Sequence, residues 1–141
     1  MKTLVTFMIA MMIGSFAIAQ KIQEKNIPSS VKSSFQKQYP NTKAKWSKEE
    51  NNYEAEFNFD KEERSVLMDV SGNIIETEIE IKVSQLPKEI TEYIKANYQG
   101  QTIKEAAKIT DAKGVVTFEA EIKGKDLIFD SNSKLLKEVK N

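Results

Sequence analysis

A chain of 141 residues with 21 basic and 21 acidic side chains has no dominant basic field. That balance excludes an electrostatic nucleic-acid binder and a polybasic membrane-surface anchor. It contains neither histidine nor cysteine, which removes Ser-His-Asp and Cys-His catalysis, zinc sites of the usual kind, and disulfides.

The first 19 residues predict a cleaved signal peptide. Lys2 supplies the basic start, Leu4 to Phe16 is mostly apolar, and Ala17-Ile18-Ala19 fits the small-x-small cleavage rule. Cleavage after Ala19 implies a periplasmic or secreted protein with no membrane anchor, and removing Lys2 leaves one more acid than base. The apolar run is too short to span a bilayer comfortably. Residues 20–26 are short, polar and charged, and predict a poorly ordered leader.

Ile27-Pro28 opens a helix, since a proline early in the first turn lacks only an N–H that has no helical partner. Val31, Phe35 and either Gln38 or Tyr39 follow on one face, and Pro40-Asn41 ends the segment. Four strand candidates come next. Ala44 and Trp46 share the inward side of the first, and Tyr53, Ala55, Phe57 and Phe59 that of the second. Val66, Met68 and Val70 share it in the third. Ile74 to Val83 alternates most clearly, with Ile75, Thr77, Ile79, Ile81 and Val83 on one face and Glu76, Glu78, Glu80 and Lys82 on the other. Asp69-Val70-Ser71-Gly72-Asn73 between the last two has hairpin chemistry.

The pattern then begins again. Leu86-Pro87, Ile90, Ile94 and Tyr98 match Ile27-Pro28, Val31, Phe35 and Tyr39 at one offset of 59. Ile103 to Ile109 predicts a strand, Phe118-Glu119-Ala120-Glu121-Ile122 repeats Tyr53 to Phe57, Gly124-Lys125 turns into a strand at Leu127 to Asp130, and Asp130 to Lys134 repeats the Asp69 hairpin before Leu135 to Val139. Two copies of helix–β–β–β–β follow, residues 27–84 and 85–141. The fold class is α+β, with the copies sharing a continuous antiparallel sheet and helices packed on one face of it.

The run Ile27-Pro28, Val31, Phe35, Tyr39-Pro40, Trp46, Tyr53-Glu54-Ala55-Glu56-Phe57 and Asp69-x-x-Gly72, with its second copy, resembles the PepSY-like, β-lactamase-inhibitor-like family of exported bacterial proteins. The resemblance spans nearly all of the chain after the leader. It implies tandem helix-plus-four-strand units, an architecture similar to β-lactamase inhibitor protein, and an inhibitory role of the kind proposed for related PepSY domains. The second copy departs from the pattern in having Tyr98-Gln99 for Tyr-Pro and Ser133 where the first has Gly72.

With no catalytic motif and no Gly-rich phosphate loop, the expectation is a non-enzymatic module without a cofactor. Glu54, Glu56, Glu78, Glu80, Glu119 and Glu121 occupy the polar face of the strands. The plain expectation for that face is solvation, with cross-strand ion pairs to lysines. The functional one is recognition of a protein partner in the periplasm, with Tyr93, aligned to Ser34, as a further contact. Asp69, Ser71 and Asn73 alternate as at the start of a calcium loop, but Gly72 falls before the position that the loop's turn requires and Glu80 lies within a strand, so a plain hairpin is favoured. An inhibitor or modulator of an exported enzyme is the leading function. A structural or stress-related envelope protein and a calcium-binding periplasmic protein are the alternatives.

Overall fold

Residues 19–141 are described in the computed structural model, and nine strands among them form one sheet in chain order. The signal-peptide reading therefore lies outside the described residues, apart from Ala19. The strands are β1 (Gln20–Ile22), β2 (Lys45–Glu49), β3 (Asn52–Phe59), β4 (Glu62–Met68), β5 (Ile74–Ile81), β6 (Glu105–Asp111), β7 (Val116–Ile122), β8 (Lys125–Asp130) and β9 (Leu135–Lys140). Helix α1 (Ser29–Gln38) precedes β2, and helix α2 (Lys88–Asn97) lies between β5 and β6. Every neighbouring pair of strands is antiparallel.

The leader is not a loose tail. Gln20–Ile22 pairs with β2, setting Ile22 opposite Trp46, and a single 3-10 turn at Glu24–Asn26 leads towards α1. Polarity alone had hidden this strand, because an edge strand of three residues needs only one apolar anchor, here the half-buried Ile22.

Pro28 and Pro87 cap the two helices rather than sitting inside them. Each helix ends on a tyrosine whose N–H reaches the carbonyl four residues back: Tyr39 to Phe35, and Tyr98 to Ile94. The chain then leaves through a left-handed residue two positions after each tyrosine, Asn41 in one case and Gly100 in the other. Tyr98-Gln99 thus makes the same exit as Tyr39-Pro40.

Burial divides into two clusters. Val31, Phe35 and Tyr39 of the first helix segment pack with Trp46, Ala55, Phe57, Val66 and Met68. Ile90 and Ile94 of α2 pack with Ala106, Ala120, Ile122, Leu127 and Phe129. Phe35 is the hub of the first, with its ring edge-on to both Trp46 and Phe57 at centroid distances of 5.3 and 4.9 Å. Truncating it should be expensive: Phe35→Ala is expected to destabilise the fold by about 3–5 kcal/mol in urea unfolding. The row Phe57–Arg64–Ile79–Lys108–Phe118–Phe129 crosses the sheet from β3 to β8. It carries side chains of both clusters on the same side, because residues directly opposite in a ladder share a face.

Two inward assignments shift. Val70 is exposed beyond the end of β4, in the hairpin rather than the strand. Ile74, not Ile75, packs against the first cluster. Met68 opposes Ile74 while Leu67 opposes Glu76, so Ile75 is the extra residue of a bulge. The same irregularity recurs after the next such hairpin, where Phe129 opposes Leu135 and Ile128 opposes Lys137. A strict period of two cannot register such an insertion.

Candidate functional site

The face of the sheet turned away from those clusters gathers carboxylates from several strands. Ser47, Glu54, Leu67, Glu76 and Asp111 form one cross-strand row. Lys45, Glu56, Ser65, Glu78, Ile109 and Thr117 form the next. Glu80, Ala107, Glu119, Ile128 and Lys137 form a third, followed by Glu105, Glu121 and Asp126. Period-two alternation puts these residues here: the helix-facing positions Ala55 and Phe57 fix Glu54 and Glu56 on the other side, and Phe118 and Ala120 do the same for Glu119 and Glu121.

The face is not uniformly solvated, contrary to the plain expectation from alternation. Glu54 is only 4% exposed and Glu119 only 6%. Glu49 and Asp126 are buried as well, while Glu56, Glu76, Glu78, Glu80 and Glu121 are half-buried. Alternation tells which side a residue faces but not whether that side is open to water. Glu54 accepts a hydrogen bond from Ser47 Oγ at 3.1 Å, and Asp126 one from the Asn141 amide at 3.3 Å. Glu121 lies 3.8 Å from the Lys104 ammonium. Both Glu49 carboxyl oxygens, Glu119 Oε2 and Asp126 Oδ2 are buried without a hydrogen-bond partner.

This arrangement disfavours charge. Burial, reinforced by neighbouring Glu56, pushes the Glu54 carboxyl up to about 7. Burial raises Glu76 to about 7, with Lys137 pulling the other way. Glu119 rises to about 8, through burial first and then the proximity of Asp126 and Glu121. Glu78 stands at the middle of the group and is raised well above the ordinary range by burial and by Glu119, Glu54, Glu76 and Asp126. Influence on one side chain of β5 from acids on β3, β7 and β8 means that the carboxylates converge across the sheet.

The residues singled out by sequence thus fall into three places. Glu54, Glu56, Glu78, Glu80, Glu119 and Glu121 share the acid-rich face. Tyr93 does not join them. It is half-buried on α2 against the second cluster, with its ring 5.6 Å from that of Phe129. Asp69, Ser71 and Asn73 stay within their hairpin, where Asp69 Oδ1 accepts the N–H groups of Ser71 and Asn73, and Oδ2 accepts from the Asn73 amide. These bonds hold the Asp69 carboxyl below its usual range. Among the described residues no three acidic side chains are placed to hold a metal ion.

The alternation rule also implicates Glu49, Glu76 and Asp126. Lys45, Ser47 and Glu49 continue one alternation to the end of β2. Asp126 follows from Leu127 and Phe129 facing the second cluster, which turns Asp126 and Ile128 the other way.

The family described as "Putative beta-lactamase-inhibitor-like, PepSY-like" matches the chain twice, over residues 17–76 and 62–137. No match was found among curated proteins. Among solved structures, a "putative periplasmic" protein of Bacteroides eggerthii is 13% identical with a TM-score of 0.72, the match covering 80% of this chain and 88% of that one. A DUF2874 family protein of Bacteroides uniformis is 16% identical with a TM-score of 0.71 and the same coverage. A protein of Bacteroides fragilis described as BLIP-like is 24% identical with a TM-score of 0.64, over 80% of this chain and 86% of that one. At these identities the structures speak for a shared fold, while the sequence match covers most of the chain. The chain belongs to the PepSY-like, beta-lactamase-inhibitor-like family.

Proposed function

We propose that this chain is an exported, non-catalytic module of two tandem helix-plus-four-strand units that engages a protein partner through its acid-rich sheet face. The observation that carries this reading is the gathering of Glu54, Glu78 and Glu119 from three strands onto one face, where they are buried or half-buried. Buried charge without full pairing costs stability, and a recognition surface is a reason to retain it. An inhibitor or modulator of an exported enzyme fits this geometry, since a broad charged sheet face can meet another folded surface without remodelling. The family description and the BLIP-like relative support that direction. Among the described residues no helix is long and apolar enough to cross a membrane, in keeping with a periplasmic or secreted site of action.

The test is capture of partners from periplasmic extract with wild type and with Glu54, Glu56, Glu119 and Glu121 changed to lysine. Loss of a specific partner supports the reading. Because Glu54 and Glu119 are buried, the pair Glu56→Lys and Glu121→Lys is run alongside, with circular dichroism to check folding. Identical partner lists from folded variants would remove the sheet face from consideration.

A further inference from the structure

A cavity of about 360 Å³ lies where α2 gives way to the loop before β6. That volume is within the range of small-ligand sites. Val83, Ile94, Tyr98 and Ile103 supply its apolar walls, and none of its lining residues is acidic. Ile94 is buried, but Val83, Tyr98 and Ile103 are half-buried and Lys95, at the rim, is exposed, so the space opens to solvent. The Tyr98 wall is held in place, with its hydroxyl donating to Glu138 and the Lys125 ammonium 5.6 Å from its ring centroid.

The helix ends themselves show why space opens here. At the end of α1 the Gln36 amide donates to the Thr42 carbonyl at 3.1 Å, which ties the exit loop to the helix. Lys95 stands 59 residues on from Gln36, and its ammonium has no ion pair among the described residues. Ile94 stands 59 residues on from Phe35 and fills less volume. The result is an apolar hollow with one unpaired cation at its rim. A cationic ligand would be repelled there, and a wholly apolar one would leave the ammonium unused.

We infer that the cavity binds a small free amphipathic carboxylate, its hydrocarbon part against Val83, Ile94, Tyr98 and Ile103 and its carboxylate on the Lys95 ammonium. The hydrocarbon gains by leaving water, and the carboxylate by a charge-assisted hydrogen bond. The site lies on the helix side of the sheet, away from the acid-rich face, so it stands independently of the binding reading above.

The experiment is an NMR titration of the amide-labelled protein with octanoate, with octanol and octylamine as comparators. Octanoate is expected to shift the amides of Thr91, Lys95, Gly100 and Ile103 saturably, with a Kd of about 1 mM or tighter. Octylamine should bind about fivefold more weakly or worse. Lys95→Met keeps the length of the side chain and drops its charge. It is expected to weaken octanoate about fivefold and leave octanol unchanged. Lys95→Gln restores the group found at position 36, and should close the loop through the Gln101 carbonyl and abolish binding of both. Lys95 is exposed, so an unchanged Tm is expected of each variant. Phosphatidylglycerol vesicles test a membrane source of the same chemistry and are expected not to bind. Shifts scattered over other surfaces, equal binding by octylamine, indifference of octanoate to Lys95→Met, undiminished binding by Lys95→Gln, or co-sedimentation with the vesicles would each overturn the inference.

Discussion

Raising the pH from about 5 to about 8 is expected to lower the melting temperature, by about 5 °C or more. Glu54 and Glu76 titrate near 7 and Glu119 near 8 in the folded chain, all from an ordinary value of 4.5, because burial opposes their ionisation. A carboxyl raised on folding contributes stability that is complete below its unfolded value. That contribution drains away as pH climbs through the folded value. The window is therefore from about 4.5 to about 8. Since the groups are coupled, the total is smaller than a sum over sites, on the order of 2 kcal/mol. Asp69 and Glu138 are displaced the other way by hydrogen bonds, from Asn73 to Asp69 and from Lys125 to Glu138. Below about pH 4 their favourable bonds are lost as they protonate, so the stability maximum should lie near pH 5. Scanning calorimetry across this range checks the shape. Glu54→Gln with Glu119→Gln should flatten the alkaline limb and raise Tm at pH 8, and a wild-type Tm that climbs with pH would contradict the assignment.

Gly72→Ala is expected to be among the most damaging single substitutions, at about 2–4 kcal/mol. Gly72 adopts φ +86°, and a Cβ there would lie 2.6 Å from the Ser30 carbonyl oxygen and 3.0 Å from Ser34 Cβ. The crowding is built in, because the hairpin is tied to α1 by Ser30 Oγ donating to the Val70 carbonyl at 2.7 Å and Ser34 Oγ to the Gly72 carbonyl at 2.6 Å. Gly114, at φ +81° in the β6–β7 hairpin, has nothing within 4 Å of the equivalent Cβ. Gly114→Ala should therefore cost only the left-handed backbone term, about 1 kcal/mol. Urea denaturation of the two variants side by side separates crowding from conformation, and equal losses would refute the packing explanation.

The same hairpins show where sequence was legible. Asp69 and Asp130 were visible as a repeated signal, and in the structure each carboxylate caps N–H groups two and four residues on. Asp111 does the same for Lys113 and Val115 and escaped notice, because its flanking residues lack the serine and asparagine that marked the other two. Ser133, three residues after Asp130, takes the left-handed position that Gly72 fills three residues after Asp69. The reason lies in a different part of the chain: Tyr93, 59 residues on from Ser34, packs on Phe129 instead of drawing the hairpin close. Helix stripes such as Val31–Phe35–Tyr39 were readable since a single periodicity governs them. Burial of Glu54 and Glu119 was not, because it depends on strands distant in sequence. Nor was Asp126, whose place follows only once the neighbouring Leu127 and Phe129 are known to face the helix side.

The order of the nine strands in space is their order along the chain. Each new strand thus finds its docking edge on the strand made before it, and only the β1–β2 and β5–β6 joints must wait for an intervening helix. Such a zipper needs few distant encounters, which shortens the search during folding. With no cysteine to lock a partial structure, the chain can then consolidate progressively from its N-terminal side. The most vulnerable moment is when β5 is formed and its outer edge, Glu76 to Ile81, still awaits β6. Glutamates at alternate positions of that edge strand, Glu76, Glu78 and Glu80, would discourage two partly folded chains from joining there by mistake.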